Sequence, residues 1–305
     1  SDIQKVSFEE MKVNNFDKTR AFVKIQDGCN NYCSYCIIPY LRGDVRSKKS
    51  DDVINEVKSL IESGHKEIVL TGIHTGHYGS DINESFAGLL KKLVKIDGLL
   101  RLRISSVEIT ELNDEFLDVL KNSQVLVDHI HIPLQSGSNT VLKRMNRKYD
   151  KDYFINKIDT IRSIRPDISI TTDLIVGFPG ETEDEFNETI DTINKIKFSK
   201  IHVFPYSRRK GTPADLMDNQ IDEKVKKERV SKIINLSKEL EQDYFSKFIG
   251  KELIFIPEVY KNGYLIGHTG NYILVRALGD EKLLKQDINV KLEKLEYPYV
   301  LGCII

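Results

Sequence analysis

Three cysteines within eight residues, Cys29, Cys33 and Cys36 in GCNNYCSYC, constrain this chain more than any other feature. Their spacing, C-x3-C-x2-C on one loop, suits three irons of a cubane cluster and leaves the fourth iron without a protein ligand, open to a substrate. A structural zinc site is the alternative, but it normally takes four ligands, and no Cys or His lies close in sequence to complete the set. Cysteines packed this tightly do not form a disulfide framework and read as metal ligands in a reducing cytosol. The fourth cysteine, Cys303, two residues from the end, reads as a buried small hydrophobe.

From Ala21 onward, short β-branched runs alternate with helix-length amphipathic segments, the pattern of a parallel sheet with crossover helices. Six strands are expected, beginning near Ala21, Glu67, Leu100, His129, Ile168 and Lys200. Ser50 is placed to cap the helix after the first of them, and Glu181, Glu183, Asp184 and Glu185 load the start of a later one where its dipole favours acids. Six units are too few for the closed eight-unit barrel and fit a partial barrel or an open sheet.

Ligands in such folds gather at the carboxyl ends of the strands. The unusual residues fall there: Gly28-Cys29, Thr71-Gly72-Ile73-His74, Ser105-Ser106, Pro133 to Gly137, Gly177 to Gly180 and Pro205-Tyr206. These loops are expected to converge on one site. His74 and His77 lie in one of them, whereas His129 and His131 alternate along a strand and share a face. A charged helix over about 222–249 then links to a segment of short strands around an Asn262-Gly263 turn, which predicts a small β-barrel.

The cysteine loop resembles that of the radical S-adenosylmethionine (SAM) enzymes, where it follows the first strand of a partial barrel. The resemblance implies one 4Fe-4S cluster on Cys29, Cys33 and Cys36, with SAM chelating the open iron. It also implies SAM contacts from Tyr35 (near adenine), Thr71 and Gly72 (methionine amino group), Gln135 and Ser136, Asp173 (ribose) and Gly177. On its own, Tyr35 could equally be a loop residue filling a gap. No catalytic side chain is singled out.

The strings IQDGCNNYCSYCIIPYLRG, EIVLTGIHTG, RISSVE, HIPLQSGSNTVLKRMNRKY, IVGFPGETEDEF and HVFPYSRRKGTPA look like the methylthiotransferase branch of that family. Within it, TGIHTG and RISSVE are most similar to the subgroup that converts threonylcarbamoyladenosine, beside the tRNA anticodon, to its 2-methylthio form. The implied architecture is a partial (β/α)6 radical SAM barrel followed by a small all-β barrel of the RNA-binding, OB-like type called TRAM. The boundaries read as an interdomain linker remnant over 1–18, the radical SAM barrel over 19–240 and the β-barrel over 241–305. Implied partners are tRNA at its anticodon loop and an electron donor. Full members carry a preceding domain whose three further cysteines hold a second cluster, and only Cys303 remains here besides the triad. The chain therefore reads as the radical SAM plus TRAM fragment of a longer enzyme, inactive for sulfur insertion by itself.

Balanced charge, 45 basic against 46 acidic residues, argues against a polybasic surface, so RNA contacts must be local. Arg208, Arg209 and Lys210 form the basic cluster nearest the site, and Tyr260, Tyr264, Tyr272, Tyr297 and Tyr299 are candidates for stacking on bases or for a barrel core. No window approaches the roughly 20 apolar residues of a membrane span, and a cytoplasmic location is expected. Two other functions share some of these features: methylthiolation of a ribosomal-protein aspartate, and zinc-stabilised RNA binding without catalysis.

Overall fold

The computed structural model describes residues 19–305, and the linker expected over 1–18 lies outside them. β1 (Arg20–Lys24) passes through β2 (Gln26–Asp27) into the cysteine loop and α1 (Ile38–Arg42), and the chain returns on β3 (Arg46–Ser47). There follow α2 (Ser50–Glu62), β4 (Glu67–Thr71), α3 (Phe86–Leu93), β5 (Arg101–Ile104), α4 (Asp114–Asn122), β6 (His129–His131), α5 (Asn139–Arg144), α6 (Lys151–Ile164), β7 (Ser169–Val176), α7 (Glu183–Ile196), β8 (Lys200–Pro205) and α8 (Glu223–Ser246).

β1, β4 and β5 form one parallel ladder, and β6, β7 and β8 another. Between them Leu102 donates to the Val125 carbonyl at 2.8 Å and accepts from the Val127 amide at 3.1 Å, joining the two halves into a six-stranded arc. Strand parity decides what each face holds. Ala21, Val23, Ile68, Leu70, Leu102, Ile104, Ile130, Ile170, Leu174 and Ile201 are buried in the core shared with the helices. The alternate positions, Arg20, Glu67, Arg101, Arg103, His129, His131, Thr171, Asp173 and His202, make the inner face polar.

Local chemistry sets the helix boundaries. α7 starts at a capping box in which Thr182 and Glu185 satisfy each other's backbone amides, and three acids occupy its first turn, as the dipole favours. α2 starts one residue earlier than expected. Lys49 is its N-cap and has no side-chain acceptor to offer, and the Ser50 hydroxyl, expected to cap, instead bonds Glu84 at 3.2 Å and Lys92 at 2.8 Å.

The second unit is a closed five-stranded barrel of β9 (Glu252–Lys261), β10 (Tyr264–Thr269), β11 (Leu274–Leu278), β12 (Ile288–Glu296) and β13 (Tyr299–Ile304). α8 serves both cores: Ile233 and Leu240 pack with the larger one, whereas Tyr244, Phe245 and Phe248 pack with Phe255, Val275 and Val290. Cys303 is exposed, which corrects the expectation that it is buried. Its neighbour in β13, Gly302, is the one turned inward: a Cβ there would meet Val290 at 2.3 Å, so Cys303 takes the outer face.

The two units meet across the inner face of the arc. Glu67 is the buried anchor, contacted by Arg103 at 2.8 Å and by Arg20 and Arg101 at 3.5 Å each. These guanidiniums reach on to the small barrel, Arg101 to the Ile254 carbonyl at 2.8 Å, Arg103 to that of Gly270 at 3.2 Å and Arg20 to the Tyr272 hydroxyl at 2.8 Å. The Tyr272 ring lies 4.1 Å from the Arg103 guanidinium and 4.5 Å from the His129 ring. Of the five tyrosines considered for base stacking, Tyr272 is therefore taken up by this contact. Tyr297 bonds Glu241 at 2.8 Å, and Tyr264 and Tyr299 flank Arg276.

Candidate metal centre

A short antiparallel ribbon holds the cysteine loop by both ends, pairing Gln26 with Ser47 and Asp27 with Arg46. The Cys29 amide donates to the Gly43 carbonyl at 3.0 Å. Gly28, at φ +76°, allows this closure, since a Cβ would stand 1.9 Å from the Asp44 carbonyl oxygen. Inside the ribbon Gln26 bonds the backbone carbonyls of Asp27 and Gly28 at 2.7 Å each and accepts from the His74 amide at 2.7 Å, which ties the loop after β4 to the loop after β1.

Cys29, Cys33 and Cys36 line one cavity of about 300 Å³ together with Tyr35, Gly72, His74, Glu108, Gln135 and Arg147. Burial pushes the Cys29 thiol up to about 11, and Cys33, Cys36 and Glu108 add to the rise as like charges. Burial also raises Cys36. Cys29 and Cys36, which resist ionisation, stand beside Cys33 as a donor set that a cationic cluster stabilises, and the number and softness of the three thiols fit three irons of a cubane. Arg147 opposes the rise at Cys36, and it donates to Cys33 Sγ at 3.3 Å and to the Tyr35 hydroxyl at 3.4 Å while paired with Glu108. Burial raises Glu108 even against the pull of that guanidinium. His74 Nδ1 stands 3.7 Å from Cys29 Sγ. By identity it could complete a Cys3His zinc set, a partner 45 positions distant that spacing alone did not offer.

The residues expected to touch SAM divide into three groups. Tyr35, Gly72 and Gln135 line the cavity with the thiols. Tyr35 packs edge-on against Phe178, and Gln135 takes a left-handed φ of 65°, its amide donating to the Asp173 carbonyl at 2.9 Å and its carbonyl accepting from Ile175 at 2.9 Å. Asp173 and Thr71 lie within the strands themselves, outside the cavity lining. The Asp173 carboxylate faces His131 Nε2 at 3.2 Å, and the Thr71 carbonyl accepts from Ile25 at 2.9 Å. Ser136 and Gly177 face elsewhere. The Ser136 hydroxyl accepts from the Ser138 amide at 3.2 Å and lies 3.4 Å from that of Thr189, while a Cβ on Gly177 would meet the Lys226 side chain at 2.4 Å. Arg147, Glu108 and Glu111 were not singled out from the sequence, although RISSVE and MNRKY contain the first two.

His129 and His131 both engage the Thr171 hydroxyl, at 3.0 and 2.9 Å, and so share the inner face. Burial and the nearby guanidinium of Arg103 keep His129 neutral. In the basic cluster Arg208 pairs with Asp215 at 3.0 Å, and the charge of Arg209 lies close enough to favour the Cys36 thiolate. No helix among the described residues is long and apolar enough to cross a membrane.

The model of the radical SAM superfamily matches residues 23–193. The chain is 47% identical over 303 residues to the threonylcarbamoyladenosine tRNA methylthiotransferase of Bacillus subtilis (strain 168), an alignment covering 97% of this chain and 67% of that protein. It is 40% identical to the Thermotoga maritima protein of the same name, covering 97% and 68%. With the tRNA-2-methylthio-N(6)-dimethylallyladenosine synthase of Thermoanaerobacter sp. (strain X514) it shares 41% identity, covering 93% and 61%. The chain thus spans about two thirds of the length of these curated relatives. Among solved structures, a radical SAM methyltransferase from Kitasatospora setae with cobalamin and a [4Fe-4S] cluster bound superposes with a TM-score of 0.54 at 18% identity, covering 64% of this chain and 36% of that one. Methylornithine synthase superposes at 0.50 with 14% identity, covering 71% and 62%. These two likenesses concern the fold alone.

Proposed function

The chain belongs to the radical SAM superfamily, in its tRNA methylthiotransferase branch, and on that premise we propose that it serves the conversion of N6-threonylcarbamoyladenosine beside the tRNA anticodon to its 2-methylthio form. The observation that carries this reading is the convergence of Cys29, Cys33 and Cys36 with Gly72, His74 and Gln135 on one cavity at the carboxyl ends of the strands. The 47% identity to the Bacillus subtilis threonylcarbamoyladenosine enzyme supports that nucleoside, while the Thermotoga maritima enzyme of the same name and the dimethylallyl synthase stand level at 40% and 41%.

The cysteines would hold the 4Fe-4S cluster. Bound there, the cluster supplies the electron that splits SAM into methionine and a 5′-deoxyadenosyl radical. The remaining work falls to the chain's own side chains. Arg147 donates a hydrogen bond to Cys33 Sγ and so fixes the direction of that ligand. Gln135, its backbone pinned to β7, presents its amide to the cavity, and Tyr35 offers an aromatic wall braced by Phe178. The polar inner face around His131, Asp173 and His202 lies below the cavity and has the hydrogen-bonding capacity to orient a modified base. The reaction also calls for an electron donor. Beyond the triad the sequence contains only Cys303, exposed on the second barrel, so its cysteines suffice for one such cluster.

Modified-nucleoside analysis of tRNA from a deletion strain tests the substrate. Loss of the methylthio group from threonylcarbamoyladenosine, with the dimethylallyl nucleoside unchanged, is expected. Loss from the dimethylallyl nucleoside, or from a ribosomal-protein aspartate with tRNA intact, would assign a different acceptor. An anaerobic preparation that is colourless and contains zinc without iron would overturn the cluster itself.

A further inference from the structure

Behind one wall of the cavity, His74, His77 and Glu111 stand together, each offering one ligand atom within 4.8 Å of the others. His77 Nε2 is 3.0 Å from Glu111 Oε1, and His74 Nε2 is 3.8 Å from the same oxygen. The two imidazoles stack, with centroids 3.9 Å apart. Gly76 makes the approach possible, since a Cβ there would come within 2.5 Å of the Glu111 stem.

An ion pair between His77 and Glu111 explains only half of this arrangement. His74 is 5% exposed, and its Nε2 is buried without a hydrogen-bond partner. A buried, unmatched imidazole nitrogen destabilises the fold unless a ligand meets it. It points at a carboxylate oxygen too distant for a hydrogen bond, across a gap of the size a cation fills. Ligand atoms bound to tetrahedral zinc at about 2.0–2.1 Å lie roughly 3.3 Å apart, between the 3.0 and 3.8 Å found here. Binding needs the stacked rings to splay until both Nε2 lone pairs converge. The His74 ring also presents its two nitrogens in opposite directions, Nδ1 to Cys29 and Nε2 to Glu111.

We propose that His74, His77 and Glu111 form a second, mononuclear site for a transition-metal dication of the zinc class, one imidazole removed from the cluster thiol Cys29. Two nitrogens and one carboxylate oxygen make a harder set than the three thiols, so the two sites select different metals. Three protein ligands leave a fourth position for water or another oxygen donor. The dication would tether the loop after β4 to the turn after β5, two walls of the same cavity. It would also place positive charge behind the cluster loop.

The test uses the whole chain with its cluster reconstituted anaerobically, equilibrated with a small excess of zinc and desalted, beside His77→Ala, His77→Gln and Glu111→Gln. Zinc, iron and sulfide are counted, and the zinc-edge absorption spectrum is recorded. One retained zinc with unchanged iron is expected in the parent chain, with a nitrogen and oxygen shell at about 2.0–2.1 Å. That zinc should be lost from the variants while their iron content stays at the parental level. His77 is half-exposed and outside the cluster cavity, so its variants keep the fold. No zinc in the parent, equal zinc in the variants, or a sulfur shell near about 2.3 Å at full iron content would overturn the proposal.

Discussion

Nη1 of Arg147 donates to Sγ of Cys33 across 3.3 Å, although 114 positions separate the two residues in sequence. The same guanidinium is paired with Glu108, and both side chains are largely buried. Hydrogen bonds to cluster sulfurs raise the reduction potential, so Arg147→Met should lower the midpoint potential of the reconstituted cluster, measured by anaerobic redox titration. Removing one member of a buried pair also leaves Glu108 uncompensated, at about 3 kcal/mol in urea unfolding. Adding Glu108→Gln should restore much of that stability but none of the potential. An unchanged potential in Arg147→Met would show that the contact does not reach the iron.

Cys29, Cys33 and Cys36 share one cavity, and replacing any one by Ala should prevent a full complement of iron. Each variant should also lose reductant-dependent formation of 5′-deoxyadenosine. The checks are iron and sulfide per chain and chromatography of the quenched reaction. A variant that keeps both would take its cysteine out of the ligand set. Cys303→Ala, on the outer face of the small barrel, should behave as the parent does.

Glu185 carries the pH dependence most directly. Bonds from Arg144 at 2.9 and 2.8 Å, from the Thr140 hydroxyl and from the Thr182 amide hold its carboxyl down to about 2, against an ordinary value of 4.5. A carboxyl depressed in the folded state adds stability that is complete above its unfolded value and disappears as pH falls through the folded one. Melting temperature should therefore drop between pH 4.5 and about 2, and Glu185→Gln should show a shallower drop over that window. The group is partly exposed, so the difference should shrink in high salt.

Tyr272 joins the two units. Tyr272→Ala removes its contacts with Arg103 and His129 and its bond from Arg20, at roughly 2 kcal/mol in all. Tyr272→Phe keeps the ring and should cost about 1 kcal/mol. Denaturant unfolding followed by separate probes in the two units should split into two transitions for the alanine variant and stay coincident for phenylalanine. Coincident transitions in both would mean that α8 alone couples the units.

The six strands of the arc were legible because each is a β-branched run with turn residues after it, and period-two alternation is a local property. The site was legible to the extent that strand ends announce it, through Cys29, Gly72 and Gln135. What these residues face was less so. Arg147 lies in the turn after α5, where nothing in the local pattern sets it apart from Arg144 or Lys148, and only tertiary folding brings it to Cys33. Arg101 and Arg103 are visible as the polar members of an alternating strand, but their partners lie over 150 positions away in the second barrel. Ser136 and Gly177 sit in the expected loops but outside the cavity, Ser136 turned to Ser138 and Thr189 and Gly177 packed under Lys226, contacts that position along a strand does not settle. Cys303 was misjudged for the same reason, since inward and outward differ by one residue.

The ribbon of β2 and β3 has a consequence for what holds the cysteine loop closed. With Gln26 paired to Ser47, Asp27 to Arg46, and Cys29 bonded to Gly43, the loop is already a closed ring of backbone. Small zinc domains gather their ligands only when the metal arrives, so metal and fold come together. Here the entropy of bringing the loop ends together is met by ordinary backbone pairing. Closure of the loop therefore rests on backbone pairing, and the three thiols are spared that task.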